Sequence, residues 1–249
     1  MPVREWDGSS YDRISGPQRQ MGIEVLSRLD LAGDEVVLDV GCGSGRITEA
    51  LIERLPRGRA IAVDESVSMA AAARERLGTD ADVRVADALE LELEQPVDAI
   101  ISTATFHWIS DHERLWAHLH TLLRPGGRLV AQCGGEGNID GLRGRAAVVA
   151  GREPYAAPMA GWRAPWNYAG AEITRERLLA AGFAAAECWL QPYPVTPEEP
   201  REFLETIILE PHLRELPVEL REPFMDDVMA ELGEPVMIDY VRLNLDATA

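Results

Sequence analysis

The stretch Val37-Leu-Asp-Val-Gly-Cys-Gly-Ser-Gly45 is where the architecture becomes readable. A short run of strand-forming residues ends in three alternating glycines, Gly41, Gly43 and Gly45, and Ile47, Leu51 and Leu55 then follow at helical spacing. Glycine permits a sharp turn and a close approach of the backbone to a ligand. The start of the following helix offers amide donors that no helical carbonyl has taken. Strand, glycine loop and helix in that order open a parallel α/β unit.

The same alternation continues on both sides of the loop. Apolar runs occur at Glu35–Val40, Ala60–Asp64, Val83–Ala86, Val97–Ser102 and Arg128–Cys133. Helical spacing lies between them, in Gln20–Leu31 through Met21, Val25 and Leu29, and again through Met69, Ala73 and Leu77. Strands apolar on both faces, separated by helices, predict a doubly wound, mainly parallel sheet covered on both sides. Arg124-Pro-Gly-Gly127 stops the helix Glu113–Leu123, because proline cannot continue it and the glycines permit a reversal.

After Cys133 the pattern loosens, and Gly134–Gly170 reads as an insertion over the carboxyl edge of the sheet. A helix at Glu172–Ala181, a strand at Ala184–Gln191, helical pieces cut by prolines over 197–233 and a strand at Val236–Leu245 complete the chain. One of the two late strands is expected to be antiparallel.

Composition narrows the chemistry. The chain has 249 residues, with 24 basic against 42 acidic side chains and a net charge of −18; every basic residue is arginine. Without lysine there is no side-chain amine for a Schiff base and no Walker-type phosphate loop. The acidic balance argues against nucleic acid as the main partner. Length fits one sizeable domain with a cap, at roughly 100–200 residues per domain. Cys42, Cys133 and Cys188 form no CxxC pair and read as reduced thiols, with no zinc or other metal site. The opening MPVREWDGSSYDR is polar, and no stretch approaches the ~18 apolar residues of a membrane span. The expectation is a cytoplasmic protein with a small-molecule partner.

Three carboxylates stand at strand ends. Asp39 precedes the glycines inside the first strand, Asp64 ends the second and Asp87 follows the third. Their convergence at the carboxyl edge suits a ligand carrying an amine and a ribose better than a pyrophosphate.

Leu38-Asp-Val-Gly-Cys-Gly-Ser-Gly45, Val63-Asp64, Ala86-Asp87-Ala88 and Leu123-Arg-Pro-Gly-Gly127 together resemble the class I S-adenosylmethionine-dependent methyltransferases. The resemblance implies a seven-stranded sheet of order 3-2-1-4-5-7-6 with strand 7 antiparallel. It implies that S-adenosylmethionine passes close to Gly41, Cys42, Gly43 and Gly45. Asp39 would orient the methionine ammonium, Asp64 with Glu65 would hold the ribose hydroxyls, and Asp87 with Ala88 would meet adenine. Met69 would pack on the adenine ring, and Thr103 would lie at the exit of the fourth strand. The segment Ser102-Thr-Ala-Thr-Phe-His-Trp-Ile-Ser-Asp-His112, with Trp6 and Tyr11, is similar to the trans-aconitate methyltransferase branch. That likeness implies methylation of a small acid on a carboxyl oxygen. The alternatives are O-, N- or C-methylation of another acceptor, or a non-methylating cyclase on the same fold.

Arginine alone is left to bind an anionic acceptor, and its planar fork matches a carboxylate. Arg143, Arg145, Arg152 and Arg163 in the insertion and Arg242 on the last strand are the candidates, with Arg163 and Arg242 preferred. Trp108 and Trp166 are expected to wall the acceptor pocket, beside Trp162 and Tyr168. His107 is the candidate catalytic residue, a general base if the acceptor is a hydroxyl. Tyr11, Arg13 and Gln18 belong to an arm expected to cover the cofactor. The expected division is an arm and first helix over 1–34, a cofactor-binding core over 35–134, a substrate-side insertion over 135–170, and a C-terminal part over 171–249 carrying a cap at about 197–233.

Overall fold

The computed structural model describes residues 16–249. Seven strands form one sheet: β1 Val36–Val40, β2 Arg59–Asp64, β3 Ala81–Val85, β4 Val97–Thr103, β5 Leu123–Gly134, β6 Ala185–Pro192 and β7 Val241–Thr248. Their order is β3-β2-β1-β4-β5-β7-β6. The first five strands pair in parallel, while β7 runs antiparallel to both β5 and β6. The expected doubly wound α/β fold is therefore present. The winding reverses between β1 and β4, and a crevice opens beyond the carboxyl ends of the strands at such a point.

Both sheet faces are buried, as near-continuous apolar strands require. One face packs Leu38, Ile100 and Leu129 against Phe106, Trp116 and Leu119. The other packs Val37, Ile101 and Val130 against Val25, Leu29 and Leu51. A separate apolar cluster builds the cap, where Leu142, Ala146 and Tyr155 meet Phe203, Phe224 and Val228. It joins helix Asp140–Ala150 to helix Val218–Leu232. Between those helices the chain makes a short helix Pro200–Phe203, a π-turn Leu204–Ile208 and a helix Glu210–Glu215. Pro200 and Pro211 fall in first turns, where the missing N–H costs nothing, whereas Pro223 sits inside its helix.

Two boundaries differ from the sequence reading. β5 begins at Leu123, and Arg124-Pro-Gly-Gly127 bulges out of register within it, Val97 pairing with Leu123 and Ala99 with Arg128, with Gly126 at a φ of +78° and the chain end bonded alongside. Gly126 N–H donates to Ala249 O at 2.7 Å, and Ala249 N–H donates to Gly127 O at 2.9 Å. The apolar run expected to be one strand from Val236 divides at Tyr240. Val236, Ile238 and Tyr240 belong to the cap cluster, and only Val241–Thr248 enters the sheet.

Candidate active site

A cavity of about 440 Å³ occupies the switch-point crevice. Its floor is the carboxyl edge of β1, β2 and β4, represented by Gly41, Gly43, Asp64 and Thr103. Its roof comes from the cap, through Ile139, Trp166, Ile207 and Ile208.

The glycine loop has φ of +73° at Gly41 and +55° at Gly43, a region that side-chain-bearing residues rarely adopt. A Cβ at Gly41 would overlap the Thr105 side chain, whereas one at Gly43 would meet nothing within 4 Å. The backbone at Gly43 is therefore open for a ligand to lie against. Asp64 fixes this loop from the neighbouring strand: Gly43 N–H donates to Oδ2 at 2.9 Å and Ser66 N–H to Oδ1 at 3.0 Å. Glu65, Met69, Asp87 and Ala88 continue the same wall. Met69 is buried, while Asp87 is exposed, with Oδ1 accepting from Leu89 N–H at 2.8 Å.

Asp39 lies beneath the loop, 1 % exposed. Thr48 Oγ1 donates to its Oδ2 at 2.7 Å, and its buried Oδ1 has no hydrogen-bond partner among the described residues. Burial pushes this carboxyl up to about 7; the Thr48 hydrogen bond opposes the shift and the Asp64 charge adds to it. Cys42 and Gly45 do not line the cavity. The Cys42 side chain packs with Ala62, Ala73 and Leu77, and burial pushes its thiol up.

At the other end of the cavity the strand β4 exit meets β5, β7 and the cap. His107 lies in a 3₁₀ turn Phe106–Trp108 and is 7 % exposed. Its Nδ1 accepts from Gly134 N–H at 3.2 Å, which leaves Nε2 as the proton-bearing nitrogen of the neutral ring. Tyr168 stands 5.7 Å from His107 between ring centroids, stacks on Trp166 at 5.8 Å, and Trp166 in turn meets Trp108 at 5.9 Å. Burial raises the Tyr168 phenol above its ordinary range.

Arg242 reaches the cavity from β7 and is 4 % exposed. Its guanidinium lies 5.5 Å over the Tyr240 ring, and Nε donates to Gln132 Oε1 at 3.5 Å. No carboxylate among the described residues pairs with it. A buried cation without a counter-charge is expensive, so this group is suited to an anion that arrives from solution.

The remaining arginines lie elsewhere. Arg163 is exposed and outside the cavity lining. Arg143 pairs with Asp140 at 3.1 Å, with its guanidinium 5.9 and 5.6 Å from the Trp166 and Tyr168 rings. Arg145 donates to the carbonyls of Glu231 and Leu232, and Arg152 pairs with Glu231. Trp162 packs on His212 inside the cap, 4.3 Å between centroids. His118 Nε2 bonds Leu91 O at 2.9 Å and His120 lies against Phe183. Gln18 lines the cavity and donates to Tyr240 Oη at 3.3 Å. Trp6, Tyr11 and Arg13 lie outside the described residues.

Sequence reasoning did not single out Asn138, Ile139, Ile207, Ile208 or Tyr240 as lining the cavity. All five come from cap segments whose placement depends on tertiary packing. The aromatic and β-branched character of the 204–208 and 236–240 runs was the available signal.

Comparison with known proteins places these features in a family. A methyltransferase domain model matches residues 37–127. The chain is 32% identical over 189 residues to a trans-aconitate 2-methyltransferase of Methylobacterium nodulans, a match covering 76% of this chain and 68% of that one. With a trans-aconitate 2-methyltransferase of Shigella flexneri it shares 37% identity over 130 residues, 52% of this chain and 51% of the relative. The chain thus spans about half the length of most of these curated relatives. The structure is similar to Haemonchus contortus phosphoethanolamine N-methyltransferase 2 in complex with S-adenosyl-L-methionine. That match has a TM-score of 0.61 at 20% identity and covers 97% of this chain and 56% of that one.

Proposed function

The chain belongs to the class I S-adenosylmethionine-dependent methyltransferases, and from that premise we propose that it transfers the methyl group to a carboxylate oxygen of a small organic acid. The buried guanidinium of Arg242 in the cavity, which meets no carboxylate among the described residues, carries this reading. The relatives named for trans-aconitate support the same class of acceptor.

The cofactor end fits its group. The open face of Gly43, the acceptor oxygens of Asp64 and Asp87 and the apolar Met69 match an amino-acid tail, a ribose and an adenine. The orphaned Oδ1 of Asp39, beneath the loop, supplies negative charge towards the ammonium. When bound, S-adenosylmethionine supplies an electrophilic methyl group: a carbon–oxygen bond forms as the carbon–sulfur bond breaks, the electron pair stays on sulfur, and no proton moves.

Arg242 then has two tasks. It draws the ionised acid in and holds the carboxylate in a fixed plane, and orientation of this kind is the main demand of such a displacement. It also aids release, because the neutral ester no longer pairs with the guanidinium. His107, its proton on Nε2, serves as a hydrogen-bond donor rather than as a base, and Tyr168 and Trp108 exclude water. In this reading residues 35–134 hold the cofactor. The insertion 135–170 and the cap at about 197–233 hold the acceptor.

Calorimetry on protein saturated with S-adenosylhomocysteine tests the assignment, with benzoate as probe. Benzoate should bind the wild type and bind Arg242→Met at least about tenfold more weakly, the worth of one charged hydrogen-bonded pair. Equal affinity for the two proteins would remove Arg242 from the site.

A further inference from the structure

Three features of the acceptor end concern the body of the acid rather than its carboxylate. The first is charge. Arg242 is the one arginine among the described residues that lines the cavity, and the acidic lining groups Asp64, Glu65 and Asp87 lie at the cofactor end. One guanidinium neutralises one carboxylate. Further carboxylates on the same molecule would meet neutral donors such as Asn138, His107 and Thr105 but no second cation among the described lining residues, so their desolvation would be repaid only in part.

The second feature is shape. Trp166 and Tyr168 stack with their planes 6° apart, and Trp108 stands beside Trp166 with a 50° tilt. Ile139, Ile207 and Ile208 line the cavity from the cap. Near-parallel rings and branched aliphatic side chains make flat apolar walls, which favour a planar guest over a bulky one.

The third feature is rigidity. Arg143 sits within 6 Å of both the Trp166 and Tyr168 centroids and is tied to Asp140. The ring pair is thus braced by a cation, and a preformed wall loses little entropy on binding.

We propose that the acceptor is a flat, unsaturated or aromatic monocarboxylic acid, its carboxylate on Arg242 and its planar body along Trp108, Trp166 and Tyr168. This rests on the carboxyl-methylating reading above and narrows it to one class of acid.

Initial rates of methylation with S-adenosylmethionine test it, using cinnamate, cyclohexanecarboxylate, citrate and cinnamyl alcohol as probes. Cinnamate should show a kcat/KM about fivefold above cyclohexanecarboxylate, as expected for an aromatic contact of roughly 1 kcal/mol, and about tenfold or more above citrate, which adds the charge mismatch. Trp166→Ala should reduce the preference for cinnamate over cyclohexanecarboxylate to within about twofold, and Trp166→Phe should keep most of it. If citrate or cyclohexanecarboxylate is methylated as well as cinnamate, the flat-monoacid inference falls while carboxyl methylation stands. Methylation confined to cinnamyl alcohol, or of none of the four, overturns both.

Discussion

The backbone N–H of Gly134, at the end of β5, donates to Nδ1 of His107, on the turn after β4, at 3.2 Å. Adjacent parallel strands thereby fix the tautomer of a histidine that lines the cavity. Nδ1 is spent as an acceptor, so the neutral ring carries its proton on Nε2. A nitrogen-15 spectrum of the apoprotein should show His107 as the Nε2–H tautomer. His107→Gln, which retains a donor, should keep the wild-type shape of the pH–rate profile. Loss of an acid-side limb in that variant would instead make His107 a base.

Asp64 bridges the cofactor site to its own scaffold, since its two oxygens hold Gly43 and Ser66 while the side chain lines the cavity. Asp64→Ala should weaken S-adenosylhomocysteine by about 10- to 100-fold, as hydrogen bonds to a charged group are worth roughly 1.5–3 kcal/mol. Calorimetry reads this directly. An unchanged affinity would remove Asp64 from ribose binding.

Asp39 gives the site a pH dependence whose sign follows from burial. Its carboxyl is held up at about 7 in the folded protein, against roughly 3.9 in an unfolded chain. The folded state therefore binds the extra proton between those values. The stabilisation is complete below about pH 4 and is lost as pH rises through about 7. Asp39→Asn does not titrate, so its melting temperature should gain on the wild type progressively from pH 4 to above 7. Cofactor affinity of the wild type should improve over the same upper range, as the carboxylate ionises to face the ammonium, and stay flat in the variant. Parallel curves for the two proteins would contradict the assignment.

Gly41 tests the loop itself. Gly41→Ala places a methyl group into the Thr105 side chain at a φ of +73°. A destabilisation of about 1–3 kcal/mol is expected, read by thermal melting. Adding Thr105→Ala should recover only part of it, because the overlap is relieved and the backbone cost remains. Full recovery would show that the positive φ is cheap here.

The parallel half of the sheet was legible because its signals are local. Asp39, Asp64 and Asp87 each sit within a few residues of the end of a strand, and the register carries those ends to one edge. Val236–Tyr240 was not legible, since Val236, Ile238 and Tyr240 alternate as a strand would whether they enter a sheet or a cap; here the cap takes them. Arg242 could be ranked among the arginine candidates from its place on the last strand. Its lack of a counter-charge is visible only in three dimensions, and so is the exposure of Arg163. The Gly134 hydrogen bond to His107 spans 27 residues and has no sequence signature.

Carboxyl methylation through Arg242 is decided by supplying methyl-labelled S-adenosylmethionine to the wild type and to Arg242→Met with a mixture of small acids, alcohols and amines. The label should enter a methyl ester, be released by mild alkali, and be lost in the variant while the variant still binds cofactor. Label retained in an alkali-stable ether, amine or carbon–methyl product, formed equally by both proteins, would contradict it.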